Sequence, residues 1–391
     1  MPFNAKILLQ IMENRGVQQS TICSHLKMSM PRFEEALRGV RVPTERQIFA
    51  ISDALAVPAY AFFMEEFELD EPEVVDFRKK SPERFKPGLA AGKFDQIFRL
   101  QAYLADLFDL LNLDPPDSLI SAQPDENPEQ FASSIANALS IQELQTSAKT
   151  KAEFYAMLRS AIEDLGVHVV QDHHLPQEID GFALYHKNFT SNLIFVNSIK
   201  RNHGAKSFTL AHELAHILGS RSAVSDNYDN SNSVETFCNK FAAALLLPRS
   251  RFYQFVEKKH LSFESYEEAI ESADLISNHF KTSVSAALIR AAELGLSNSS
   301  YYARFSQGFG TPNFPDSIKK QAGGGQDGPE PGLIDLATLG KRSVAIISRA
   351  LKENVTTEYE VFKKTGLSRK RIKGLLSIEK SKHIKVVGVT D

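Results

Sequence analysis

The sequence predicts a mainly α-helical protein with a small β-sheet, an α+β chain. Three observations lead there. Apolar residues recur at helical spacing over most of the chain, short strand-like runs are confined to residues 167–197, and a His-Glu motif lies on one of the apolar helical runs. At 391 residues the chain should hold two or three domains, and a hydrophobic content of 42% is enough for ordinary cores. A net charge of −3 gives no global nucleic-acid signature, so DNA contacts must come from local patches. The only cysteines, Cys23 and Cys238, fall in different predicted domains. That excludes a disulfide framework and a cysteine-based zinc site, and fits a reducing cytosol. No apolar run approaches the roughly eighteen residues of a membrane span and no signal-peptide core is present, so a cytoplasmic protein without a membrane partner is expected.

Residues 1–68 read as a domain of five short helices, at 6–14, 18–26, 29–38, 44–55 and 60–64. Ser29 suits an N-cap, and Gly39 suits the position just past a helix end. The short break at Lys27-Met28 between the second and third helices fits a helix-turn-helix, whose second member enters the major groove. Lys27, Arg32, Arg38 and Arg41 are the candidate DNA contacts. Glu34 and Glu35 in the presumed recognition helix count against them, and seven basic against five acidic residues over 1–64 is a weak footprint.

Residues 69–145 are expected to be a helical connector. Phe94, Ile97, Leu100, Leu104, Leu107, Phe108 and Leu111 form an apolar stripe on a helix over 93–111, either core or the surface of a homodimer or inter-domain contact. Residues 146–305 form the next domain, opening with a helix over 147–165 and a strand over 167–171. His173 and His174 follow in a loop; adjacent histidines do not easily share a metal, so both read as surface residues. Strands at 181–185 and 193–197 flank a polar turn at 187–192. Such a strand edge either holds an extended peptide or merely covers the core.

The chemistry concentrates in His212-Glu213-Leu214-Ala215-His216. On a helix, positions four apart share a face, so His212 and His216 can grip one divalent cation while Glu213 stands beside it as general base. Leu210, Leu214, Ile217 and Leu218 make the other faces apolar, as in a buried helix. Catalytic zinc usually takes a third protein ligand and a water. Glu235, nineteen residues after His216 and opening an apolar run that stops at Pro248, is the best candidate. The competing reading is a carboxylate favoured at a helix N-terminus. One zinc per chain is expected, with manganese as the alternative. The water's proton would pass to Glu213 and on to the departing amine. His186, His203, Tyr185 and His260 are candidates for the donor that shares the developing oxyanion charge.

Residues 306–335 are a Gly/Pro-rich linker or lid, including Gly323-Gly324-Gly325. Residues 336–391 form a small basic helical module with helices over 339–351, 357–364 and 368–376, the last two broken at Gly366. Thirteen Lys or Arg against five acidic residues over 341–391 make this a second candidate nucleic-acid surface, or a solvated tail packed on the preceding domain.

Ile194-Phe195-Val196-Asn197, the run Ser207 to His216, and the run Glu235 to Pro248 together resemble the ImmA/IrrE family of metallopeptidases over roughly residues 150–260. Cys238 stands where that family usually has alanine, and Gly219-Ser220 where many members have a histidine. The resemblance implies a gluzincin-like site with His212, His216 and Glu235 as ligands and Glu213 as base. It also implies a substrate class, helix-turn-helix repressors whose cleavage controls mobile-element, phage-related or stress genes. Residues 1–64 resemble Xre/Cro-type DNA-binding domains, on Gln18-Gln19 and the run Arg38 to Thr44. The expected protein is therefore a zinc endopeptidase whose N-terminal domain binds DNA or docks onto a related repressor. The alternative is a DNA-binding regulator whose metal domain is a sensor or scaffold. Latency is expected, with the 308–333 linker or the N-terminal domain covering the cleft.

Overall fold

A computed structural model describes all residues except 1–2, 15–16, 56, 58, 68–88, 115–126, 174, 176–178, 187–189, 200–201, 220–230, 309–336 and 379–391. The described residues are mostly helical with one three-stranded sheet. It folds as two compact units, mainly Met1–Leu113 with Ile346–Lys380, and Asp114–His173 with Gln177–Ala345. No helix among the described residues is long and apolar enough to cross a membrane.

The first unit opens with α1 (Ala5–Asn14), α2 (Gln19–His25), α3 (Met30–Leu37), α4 (Glu45–Leu55) and a 3-10 turn over Ala59–Phe63. Ile7, Leu8, Ile11, Ile22, Phe33, Ile51, Leu55 and Phe62 meet in its core. Ser29 takes the extended N-cap conformation of α3 without a side-chain hydrogen bond. Gly39 follows that helix at φ +73°, a left-handed position where glycine has no Cβ penalty. The next helix, α5 (Leu89–Leu110), buries the predicted stripe of Phe94, Ile97, Leu100, Leu104, Leu107 and Phe108 against the unit's own helices. The expected connector helix is therefore core. Gln96 donates to the Thr365 carbonyl at 2.8 Å, and the Tyr103 and Thr356 hydroxyls lie 2.7 Å apart.

The second unit begins with α6 (Pro128–Ala138), α7 (Ile141–Ser147) and α8 (Lys151–Asp164). Residues 147–165, expected as one helix, split at Ala148: Thr150 accepts the Glu153 amide and starts α8 afresh. The strands are β1 (His168–Asp172), β2 (Gly181–Leu184) and β3 (Leu193–Asn197), in the order β1-β3-β2. β3 lies parallel to β1 and antiparallel to β2, with Phe182 opposite Phe195 and Val170 opposite Phe195 on the other side. As the central strand, β3 is buried at every position, which is why it reads as a continuous apolar run rather than an alternating one. Against the sheet packs α9 (His203–Leu218), and against α9 packs α10 (Ser231–Leu246). The unit continues through α11 (Arg249–Lys259), α12 (Tyr266–His279), α13 (Val284–Glu293) and α14 (Ser299–Ser306).

The remaining helices are α15 (Lys341–Lys352), α16 (Glu358–Thr365) and α17 (Arg369–Ile378). Gly366 breaks the last two at φ +75°, as its position between two helical runs predicts. Residues 337–345 complete the second unit against α8 and β1. Arg159 donates to the Ala337 carbonyl at 2.6 Å, Lys341 reaches Asp164 at 2.6 Å, and His168 Nδ1 lies 2.9 Å from Ser343 Oγ. The expected linker at 306–335 falls almost wholly outside the described residues.

Candidate metal centre

α9 carries the His-Glu motif because its apolar residues wrap most of the helix. Leu210, Ala211, Leu214, Ala215, Ile217 and Leu218 are all buried, so the polar side chains at 212, 213 and 216 are held on a helix locked into the core. The helix starts cleanly because Asn202 accepts the Ala205 amide as N-cap. His212 and His216 sit one turn apart with ring centroids 5.1 Å from each other.

Glu235 comes to them from α10. Its Oε2 lies 3.3 Å from His212 Nε2 and its Oε1 3.4 Å from His216 Nε2. One ligand atom from each of the three residues lies within 4.8 Å of the others. The helix begins at Ser231, so Glu235 stands past its first turn, where the attraction of a helix N-terminus for carboxylates has largely faded. The competing explanation of this residue therefore loses its basis. The three are graded in exposure, with side chains 2% exposed for His216, 15% for His212 and 52% for Glu235. The group thus opens to solvent on the Glu235 side and is closed by the core behind His216.

Electrostatics bind the cluster tightly. Hydrogen bonding to His212, then to His216, holds the Glu235 carboxyl far below the usual carboxylate range, against the opposing effect of its partial burial. Burial pulls the His212 pKa down. The hydrogen bond to Glu235, the charges of Glu213 and Glu235, and a bond to Asn239 outweigh it, so the net shift is upward. Glu213 is buried, and burial pushes its proton affinity up; the neighbouring imidazoles oppose this, while Glu235 and Asp180 reinforce it. Glu213 Oε2 and His216 Nδ1 are buried with no hydrogen-bond partner among the described residues.

These residues fit a divalent cation. The donors are two imidazole nitrogens and a carboxylate, the set that suits zinc. The 3.3 and 3.4 Å separations run to the two different oxygens of Glu235, so its carboxylate faces both imidazoles at once. The partnerless oxygen of Glu213 belongs to the residue adjacent in sequence to the first imidazole.

Gly181, at the start of the edge strand β2, closes the other side. A β-carbon built there would stand 2.7 Å from the Phe195 carbonyl oxygen, 2.7 Å from Thr209 Cγ2 and 3.5 Å from Glu213 Cγ. Only glycine lets the strand come this near the helix.

Residues 162–292 match the family model of the IrrE N-terminal-like domain, a peptidase domain. The match spans the end of α8, the sheet and the helices through α13, and so contains all four residues of the cluster. No curated protein matches the chain significantly. The IrrE-like segment covers about a third of the chain, and peptidases of this family are typically metal-dependent.

The other expected site residues lie elsewhere. Within the IrrE-like segment, His203 is the first residue of α9 and faces the Tyr155 ring at 6.0 Å; burial, then Lys206, lowers its pKa. His186 Nδ1 lies 3.2 Å from Thr190 Oγ1, Tyr185 packs half-buried on the core, and His260 caps α11 in an exposed left-handed turn. None of these histidines joins the metal-competent group. His173 is exposed beside Asp172, and His174 lies outside the described residues. In the first unit, Lys27, Arg32, Arg38 and Arg41 are all exposed around α3. Sequence reasoning missed two residues: Asp180, whose charge acts on Glu213, and Asn239, which faces His212. Asn239 was within reach, since it follows Glu235 by four and so shares its helix face.

Proposed function

We propose that this protein is a cytoplasmic zinc endopeptidase that cleaves a helix-turn-helix repressor, with His212, His216 and Glu235 as ligands of one zinc ion and Glu213 as general base. The observation that carries the reading is the convergence of three ligand-type atoms from α9 and α10 within 4.8 Å, beside a buried carboxylate. Zinc bound there supplies Lewis acidity, lowering the pKa of a water from about 15.7 towards 7 and polarising a carbonyl.

The chain's own residues do the rest. His212 and His216, four apart on a rigid buried helix, hold their rings at fixed separation. Glu213, whose proton affinity is raised by burial, takes the proton released by the attacking water and hands it to the departing amine. β2 is an edge strand, so its outer side can take an extended peptide by main-chain hydrogen bonds and lay it beside Glu213. Repressor cleavage rests on the ImmA/IrrE resemblance, and the N-terminal helices would bring that substrate in or hold DNA. Manganese is the alternative cation, and a homodimer remains part of the proposal, though the apolar stripe on α5 is used up in the core.

A Glu213→Gln variant tests the reading. It should fold, bind zinc as wild type does, and fail to cut a cognate repressor that the wild-type protein cuts. Cleavage at the wild-type rate would remove Glu213 from the mechanism. A second reading, a DNA-binding regulator, draws on the exposed Lys27, Arg32, Arg38 and Arg41 and on Arg369, Lys370 and Lys373 of α17. A gel shift with the DNA upstream of the chain's own gene decides it; absence of a complex at low salt eliminates this reading.

A further inference from the structure

Asn239 stands on α10 one turn beyond Glu235, and its Oδ1 lies 3.1 Å from Nδ1 of His212. A carboxamide oxygen only accepts hydrogen bonds, so Nδ1 of His212 carries the hydrogen. In the neutral ring, Nε2, the nitrogen turned towards Glu235 at 3.3 Å, is then the one whose lone pair a cation would take. The partner imidazole has no such support among the described residues, where Nδ1 of His216 is buried without a hydrogen-bond partner.

We propose that Asn239 is a positioning residue for the metal, fixing the tautomer and ring plane of His212 without touching the cation. The proposal rests on the reading of His212, His216 and Glu235 as ligands. Glu235 and Asn239 share one face of α10, so one helix delivers both the third ligand and the group that orients the first. Asn239 is exposed at the surface of α10, so truncating it removes the hydrogen bond without opening a cavity in the core.

The test is a zinc titration of the full-length protein against a chromophoric chelator, for wild type, Asn239→Ala, Asn239→Asp and Glu235→Gln. It is joined to nuclear magnetic resonance of the His212 ring in the zinc-loaded proteins. Orienting groups of this kind typically change metal affinity by about 10- to 100-fold. The alanine variant should lose affinity near the lower end of that range, and the aspartate variant should regain wild-type affinity or exceed it. The His212 Nδ1–H resonance should be sharp in wild type, lost to solvent exchange in Asn239→Ala, and present again in Asn239→Asp. Wild-type affinity and a sharp Nδ1–H in Asn239→Ala, alongside weakened binding in Glu235→Gln, would overturn the proposal and leave the ligand reading standing. Failure of Asn239→Asp to restore binding would also overturn it. A wild-type protein that takes up no zinc, or a Glu235→Gln variant that binds as tightly as wild type, would bring down the ligand reading itself.

Discussion

Gly181 lies directly against Glu213: a β-carbon at 181 would touch Glu213 Cγ at 3.5 Å. The edge strand thus forms one wall of the pocket that holds the proposed base, and Asp180 just before it contributes the charge that helps raise that base's proton affinity.

Gly181→Ala should therefore damage both fold and activity. The new methyl collides at 2.7 Å with Thr209 and with the Phe195 carbonyl, and the carbonyl is backbone that cannot swing aside. Overpacking of this kind costs about 1–3 kcal/mol, and relief requires β2 or α9 to shift and carry Glu213 with it. Thermal melts should show the loss of stability, and cleavage of the cognate repressor should fall by about tenfold or more with zinc content unchanged. Unchanged melting together with full cleavage would show that the wall has slack.

Removing the metal should destabilise the protein, because only the native state gathers ligands from two helices. Zinc at a hundred times its Kd contributes about 2.7 kcal/mol. Adding a chelator to zinc-loaded wild type should lower Tm accordingly, and the same treatment should leave the Tm of a His216→Ala variant unmoved. Identical melting of loaded and stripped wild type would contradict the arrangement.

Glu163 predicts a pH dependence of stability. Burial pushes its pKa from 4.5 up to about 7, opposed by the charge of Arg159 and by the backbone amides of Lys341 and Arg342. Arg342 and Lys341 face it from α15, while Arg159 and Asp164 share its own helix. A folded-state pKa above the unfolded one means that the native state holds a proton the unfolded chain has released. The contribution is complete below about pH 4.5 and is lost as pH rises through 7, by up to roughly 3 kcal/mol. Glu163→Gln removes that loss, so its Tm should gain on wild type as pH is raised from about 5 to 8. A constant difference across that range would refute the assignment.

Gly340 gives an independent test of the same joint. It sits at φ +82°, and a β-carbon there would meet Glu163 Oε1 and, at 2.7 Å, the Val169 carbonyl. Gly340→Ala should cost at least about 2 kcal/mol from left-handed strain and crowding together, read in denaturant melts. A chain ended after residue 308 should fare worse, losing cooperative unfolding because Glu163 and His168 would lose the residues that cover them. Equal stability of the truncated and full chains would show that residues 337–345 are dispensable.

Much of this was legible locally. Phe94 to Leu111 repeats at helical spacing and is buried at those positions; the β3 run Leu193 to Asn197 is uniformly apolar and lies in the middle of the sheet. His212 and His216 needed only the four-residue rule to share a face. Glu235 was legible as a partner but misplaced within its helix, because the apolar run reads as opening at Glu235 while the helix already starts at Ser231. What local pattern does not encode is contact at a distance. The parallel pairing of β1 with β3 and the seating of Ser343 beside His168 join residues whose spacing carries no periodic signal.

That last pairing has a consequence for biosynthesis. His168 and Ser343 are 175 positions apart, so the piece that covers the first strand is translated long after the strand itself. At about 5–20 residues per second, the ribosome would need roughly 10 to 35 seconds to deliver it. Throughout that interval the second unit lacks a piece of its own core.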